Sequence, residues 1–302
     1  MTSAAPGDRR WDVAGRDTIS KLASDVRKHA DAIDGHGDVD AVHDLRTSTR
    51  RLRTAIQLHR DDAPKRRRVA VEDELKRVTR RLGAVRDLDV LLEALGESTP
   101  HQGDVAPLRD AWRDERAADA RRLERELHRR RFRRSLKRAP KLVPSTSRKR
   151  NGSADGTDRV ATEAPGLIWD AFGAVLAHDL DPGTADPAAI HQVRIAAKKL
   201  RYTLEAFQDS LEPGASLIED VTALQDSAGS MHDAIVAGER ARSTVPAKRL
   251  KKRERSAIQA FADGQAAAAD ALRPAIARQL RTVRSRAFRE SLGRAVAGIG
   301  RA

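Results

Sequence analysis

Cysteine is absent from the 302-residue chain. That excludes disulfides, zinc–thiolate sites and cysteine nucleophiles. Aromatic residues make up only 3%, with five Phe, three Trp and one Tyr, so stacking platforms for nucleic-acid bases are scarce. No apolar run approaches the ~20 residues of a membrane span. The opening stretch, MTSAAPGDRRWDVAG, has no apolar core of a signal peptide, and the expected location is the cytoplasm. Alternating β-branched runs are few, and no glycine-rich phosphate loop is visible. Acidic residues are outnumbered, 44 Asp and Glu against 58 Lys and Arg, for a formal net charge of +14. A positive field of this size attracts polyanions and speeds their encounter. Nucleic acid, anionic lipid and inorganic polyphosphate all remain open on charge alone.

What the chain has in abundance is Ala, Leu, Arg, Asp and Glu, a helical composition, together with an internal repeat. Ala41 to Arg53 reads AVHDLRTSTRRLR, and Ala189 to Arg201 reads AIHQVRIAAKKLR. The offset is a constant 148 residues, from His43 to His191 and from Arg53 to Arg201. On a helix at ~100° per residue, His43, Arg46, Arg50 and Arg53 fall within about 80° of one another. Leu45, Leu52 and Ile56 take the neighbouring face. In the second copy His191, Arg194, Lys198 and Arg201 form the polar stripe, and Val193, Ala197, Leu200 and Leu204 the apolar one. Arg51 and Lys199 point elsewhere and rank lower as site residues. An apolar stripe beside an all-basic one describes a helix packed into a bundle with cations lining a groove.

The rest of the chain surrounds these two helices with others. Trp11 to Ile33 carries Ile19, Leu22, Val26, Ala30 and Ile33 at helical spacing. Asp40 is the expected N-cap of the first motif helix, which runs to about His59. Lys65 to Leu95 has Val71, Leu75, Val78 and Leu82 as its stripe, and Gly83 suggests close approach of a neighbouring backbone. Leu108 to Arg138 is a long helical region with Trp112, Leu123, Leu127 and Phe132 on its buried side. Its dense arginine block, 121–134, is expected to be largely a solvated surface. Residues 139–165 are rich in Pro, Gly, Ser and basic residues without apolar periodicity, which predicts a flexible linker between a first half, 8–138, and a second, 166–298. The second half repeats the pattern: Leu167 to Leu180, then a motif helix begun by Asp186-Pro187 and running to about Leu211. Ser216 to Glu239, Pro246 to Leu272 and Arg273 to Val296 follow. Four helices per half, each with one apolar stripe, give an all-α fold of two four-helix bundles.

Which chemistry suits the stripes? A divalent metal at His43 or His191 would be repelled by the cations one, two and three turns on, and no carboxylate completes a ligand set there. Phosphoryl transfer through a histidine would need a general base or a nucleotide site. A packing histidine with a satisfied hydrogen bond is one alternative. The favoured one is an anion ligand, the imidazole donating to phosphate with protonation near neutral pH helping. Guanidinium groups present a planar fork that matches phosphate oxygens and stays charged. Four cations in successive turns, doubled by the repeat, make a track for a polyanion. Arg86 either pairs with Asp87 or faces the basic groove. DNA or RNA is the serious rival occupant, although Tyr202 is the sole aromatic beside a motif and no nucleic-acid-binding signature appears. Membrane binding would need apolar faces that the bundle already uses.

The pattern H-x-x-R-x-x-x-(R/K)-(R/K)-L-R, present twice half a chain apart, resembles the CHAD family, the conserved-histidine α-helical domain. Leu82 to Val90 (LGAVRDLDV) is similar to that family's second motif, and Leu224 to Ala234 (LQDSAGSMHDA) to its partner in the second half. Ala228 stands there where a larger apolar residue is usual, and His232 where asparagine is expected. Arg131 to Leu136 and Ala287 to Leu292 resemble the two final helices, so the likeness spans about Arg9 to Gly298. It implies one CHAD-type domain of two pseudo-symmetric bundles with a basic central groove. It also implies binding of inorganic polyphosphate by His43, Arg46, Arg50, Arg53, His191, Arg194, Lys198 and Arg201. Arg51, Lys199, Arg80, Arg81 and Arg86 are secondary candidates. Phosphate or sulfate ions could occupy the same site, and nucleic acid is a secondary polyanion. Some relatives carry a fused triphosphate-tunnel catalytic domain. This chain is expected to lack one, and so to be no enzyme, with no catalytic residue, metal or cofactor and a location that includes polyphosphate granules.

Overall fold

A computed structural model describes residues 6–97, 104–144, 159–212, 214–247 and 250–299. Among these residues the chain is helical, with no strand beyond an isolated bridge between Arg10 and Arg159. The first half holds α1 (Trp11–Asp31), α2 (Val39–Leu58), α3 (Lys65–Glu97), α4 (Ala106–Leu127) and α5 (Arg130–Arg138). The second holds α6 (Val160–Leu176), α7 (Pro187–Ala206), α8 (Gly214–Ala247), α9 (Lys252–Ala271), α10 (Arg273–Arg284) and α11 (Arg286–Gly298).

The motif helices are α2 and α7, and each is started by an aspartate. Asp38, not Asp40, caps α2: its side chain accepts from the backbone N–H of Asp40 and Ala41, both at 3.0 Å. Asp40 already lies inside the first turn, where its charge suits the positive end of the helix dipole. Asp186 caps α7 with Pro187 at its first position, as expected. That helix stops at Ala206, short of Leu211, because the chain tightens into a 3-10 turn at Gln208–Ser210 that carries Leu211 into the core. Gly83 on α3 lies in open space rather than against a backbone. The close backbone approach is at Gly238 on α8, where a Cβ would stand 3.1 Å from the Ala262 carbonyl of α9.

The ends of the expected linker are structured. Ala139–Leu142 form a 3-10 helix, and Ala139, Leu142 and Val143 are buried in the first-half core. Helix α6 starts at Val160, earlier than the proline content suggested, and takes Pro165 inside it. Its start is held by the Val160 N–H donating to the Arg9 carbonyl at 3.0 Å and by the burial of Ala164. Residues 145–158 of that stretch lie outside the described residues.

Where two bundles are expected, the buried side chains fall into three clusters. One joins α1, α2, α3 and α5 around Ile19, Leu45, Leu52, Leu75 and Phe132. A second joins the helices of the second half around Phe172, Leu200, Leu224 and Leu292, and it also takes in Trp11 from α1. The third is shared between the halves: Leu88, Leu91 and Leu95 of α3 and Trp112 of α4 meet Ala237 and Ala241 of α8 and Ile258 and Phe261 of α9. The sequence hides this third core because each participating helix is long enough to serve two clusters in succession. Helix α2 touches α7, and α3 touches α8. These contacts bring the two repeated segments face to face.

Candidate anion-binding cleft

Between α2, α3, α7 and α8 opens a cleft of about 740 Å³. The apolar stripes of the two motif helices are turned into separate cores, with Leu45, Leu52, Val193 and Leu200 all buried. That orientation sends the adjoining basic stripes into the space between the halves. His43, Arg46 and Arg50 of α2 and Arg194, Lys198 and Arg201 of α7 line one continuous wall. Arg51 and Arg86, ranked lower from the sequence, line it too. Arg86 approaches Glu93 at 4.0 Å and is not paired with Asp87, so of its two expected placements the groove is the one observed.

Other candidates stand apart. Arg53 turns away and donates to the Thr79 hydroxyl of α3 at 3.4 Å. His191 lies at the edge, its ring 4.5 Å from that of His232 and its Nδ1 buried with no partner. Lys199, Arg80 and Arg81 are exposed and outside the cleft.

Electrostatics separate these cations from ordinary surface charge. Among the described residues, Arg46, Arg50, Arg194 and Lys198 have no carboxylate within ion-pairing distance, whereas Arg201 pairs with Glu205 at 2.7 Å. In the arginine block of α4 and α5, by contrast, Arg122 pairs with Asp119, Arg129 with Glu126, and Arg133 with Asp31. Burial and the neighbouring Arg194, Arg50, Arg46 and Arg53 bring the Lys198 ammonium down to about 8. The Arg50 guanidinium is lowered too, by burial first and then by Arg46 and Arg201, with Tyr202 opposing. Burial works against the Arg201 charge, but the hydrogen bond that Arg201 donates to Glu205, together with the Glu205 charge, Tyr202 and Asp226, outweighs it. For His191, burial and then His232, Arg194 and Lys198 disfavour protonation. In the empty cleft His191 is therefore harder to protonate than an ordinary imidazole, which works against the expected help from protonation. Burial is the first reason, and His232 with the cations one and two turns on along α7 adds to it.

The facing wall is different. Asp87 of α3 and Gln225, Asp226, His232 and Asp233 of α8 line it, with Glu205 nearby. Burial pushes the Asp87 carboxyl up against the opposing pull of Arg46. Six lysines and arginines of α2 and α7 thus face three carboxylates of α3 and α8, with Glu205 on the basic wall and Arg86 on the other. Such an arrangement favours negative charge at the α2–α7 wall and disfavours it at the α8 wall. Tyr202 is the residue that motif reasoning passed over. It is buried, its hydroxyl has no partner, and Arg50 and Arg201 sit over its ring at 4.8 and 5.5 Å. Its place directly after the repeated Leu-Arg was the available signal. Opposite it, Gly229 leaves room for Arg194, whose Nε would stand 3.5 Å from a Cβ at that position.

The family model described as CHAD domain matches residues 18–242. No curated protein matches the chain. Among solved structures, the crystal structure of the CHAD domain from the plant Ricinus communis aligns with a TM-score of 0.73 at 22% identity, covering 94% of this chain and 94% of that one. PptA from Streptomyces chartreusis aligns with a TM-score of 0.65 at 19% identity, covering 90% of this chain and 100% of the other. At such identities the structural likeness carries the fold.

Proposed function

The chain belongs to the CHAD family, and on that footing we propose that its cleft binds inorganic polyphosphate without acting on it chemically. One observation carries this reading. Arg46 and Arg50 from one copy of the repeat and Arg194 and Lys198 from the other line a single cleft, with no carboxylate among the described residues paired to any of them. Crowding like charges this way is unfavourable in the empty protein. A linear polyanion removes the penalty by threading between them, each phosphate meeting a guanidinium fork. The family's association with polyphosphate agrees with this reading, and it extends to a location on polyphosphate granules in the cytoplasm.

Nucleic acid fits less well. Base recognition by single-strand binders rests on free aromatic faces. The one aromatic side chain in the cleft, Tyr202, already has arginines over its ring. The test is competition at physiological salt: labelled long-chain polyphosphate against single-stranded DNA, double-stranded DNA and RNA of matched charge. Polyphosphate is expected to be displaced only by itself. Equal displacement by nucleic acids would make the cleft a general polyanion track and remove the polyphosphate assignment. A fluorescent fusion should collect on granules in polyphosphate-rich cells and disperse when Arg46 and Arg194 are both replaced by Ala.

A further inference from the structure

A second basic cleft, of about 820 Å³, lies at the other end of α3. Arg66 and Arg67 of the first turn of α3, Arg131, Arg134 and Arg138 of α5, and Lys141 of the following 3-10 helix line it over a floor that includes Val71 and Leu142. We propose that this is a second phosphoanion-binding site, taking a further stretch of the same polyphosphate chain; the proposal rests on the polyphosphate reading of the central cleft.

Four features support it. First, the cations converge from three separate elements on a concave surface. On α5 the positions 131, 134 and 138 share one helix face, opposite the buried Phe132 and Leu136. Second, none of the six has a paired carboxylate among the described residues, whereas Glu74, the one acidic residue in the lining, is engaged by Arg77. Third, Arg66 and Arg67 sit in the first turn of a helix that has no acidic residue there. The positive end of the helix dipole disfavours cations at that place and favours an anion. Fourth, the duplication supplies an internal comparison. Aligned on Phe132 and Phe288, α11 has Ala287 where α5 has Arg131 and Glu290 where it has Arg134, while Arg294 matches Arg138. The fold of the second half is therefore built without two of these three charges, and the first half carries Arg131 and Arg134 for something other than packing.

Nineteen residues along α3 separate Arg67 from Arg86, which sets the two clefts about 28 Å apart on the helix axis. A long polyphosphate chain reaches both and gains avidity, because the second contact is made at high effective concentration. A short one occupies either alone.

Calorimetric titration at physiological salt tests this with two probes, tripolyphosphate and long-chain polyphosphate. Arg131→Ala/Arg134→Ala/Arg138→Ala disables the second cleft, and Arg46→Ala/Arg194→Ala the first. Arg121→Ala/Arg125→Ala/Arg130→Ala removes the same formal charge from exposed positions that line neither cleft. The unaltered chain and the control should take up two tripolyphosphates, and each cleft variant one. Long-chain affinity should fall about 100-fold in the second-cleft variant and by no more than about threefold in the control. Replacing the same three α5 arginines by lysine should keep two sites, and circular dichroism should show every variant equally helical. If the second-cleft variant behaves like the control while the central variant loses binding, the second site is refuted and the polyphosphate reading of the central cleft stands. If only the central variant is unaffected, the central reading falls and the second cleft is the site.

Discussion

The guanidinium of Arg50, on the first motif helix, lies 4.8 Å over the ring of Tyr202, on the second. Arg201 approaches the same ring at 5.5 Å. A ring face attracts a cation by about 0.5–2 kcal/mol, more where water is excluded. Tyr202 thus holds one arginine from each copy of the repeat near the other, with Arg201 also paired to Glu205. A negatively charged spacer would neutralise the cleft, and an aliphatic one would let the two cations separate. The aromatic ring keeps them close and leaves the charge of Arg50 available to a ligand, while Arg201 shares its own with Glu205.

Replacing Tyr202 by Phe keeps the ring and removes a buried hydroxyl that has no partner. Relief from an unsatisfied polar group should leave stability unchanged or raise it by about 1 kcal/mol. Replacement by Ala removes ring and packing together and should cost about 3–5 kcal/mol. Urea denaturation midpoints measure both. A clear loss in the Phe variant would show that the hydroxyl has an ordered water partner.

Lys198 makes the cleft sensitive to alkaline pH. Its ammonium titrates near 8 in the folded protein, against about 10.4 in an unfolded chain. Between those values the unfolded state binds more protons, so stability rises with pH across that window, and the penalty of the buried charge is fully present below about pH 8. Ligand affinity moves the opposite way, falling as pH passes 8 and the lysine becomes neutral. Binding at pH 8.5 should therefore take up protons, visible as a calorimetric enthalpy that depends on the buffer's ionisation heat. Lys198→Arg should abolish that uptake, because guanidinium stays charged. Equal uptake in the variant would locate the proton elsewhere.

Much of this was legible in the sequence because the repeat carries two periodicities at once. The apolar stripe of Leu45, Leu52 and Ile56 predicts burial, and all three are buried. With that stripe placed, the basic stripe of Arg46 and Arg50 could only face outward or into a groove. What could not be read is which cations meet. Arg53 shares the stripe by angle, yet α3 packs so close that it bonds Thr79 instead. Arg51, assigned to another face, reaches the cleft because a long side chain covers more than one helical position. The acidic wall of α8 was visible as composition, but its placement opposite α2 depends on the contact between halves. The arginine block offers the same lesson: Arg133 and Arg134 are neighbours, and only three-dimensional packing gives the first an aspartate and the second a cleft.

Trp11 is the residue on which the junction of the halves turns at its other side. It lies on α1, yet it is buried in the second-half core, 6.2 Å from Phe207 by ring centroids and 4.0 Å from His59. Its indole N–H donates to Asp62 at 2.8 Å. Trp11→Phe should cost about 1–3 kcal/mol, chiefly the lost donor to a part-buried carboxylate. Trp11→Ala should cost about 3–5 kcal/mol. Chemical denaturation would give both values. An Ala variant as stable as the unaltered chain would mean that the α1 contact contributes little to joining the halves.

The same crowding that prepares the cleft for an anion should be visible as instability when it is empty. Arg46 and Arg194 have no paired carboxylate among the described residues and crowd Arg50 and Lys198 on the same wall of the cleft. Removing both as Arg46→Ala/Arg194→Ala relieves repulsion and leaves the buried apolar stripes untouched. In the absence of ligand this variant should melt at or above the temperature of the unaltered chain. With polyphosphate at about 100 times the dissociation constant, the unaltered protein should gain about 2.7 kcal/mol, and the variant far less. Thermal melts with and without polyphosphate, at low and physiological salt, separate the two effects. Screening should shrink the variant's advantage as salt rises. If the empty variant is instead clearly less stable at every salt concentration, these arginines hold the bundle together, and binding ceases to be the reason for their arrangement.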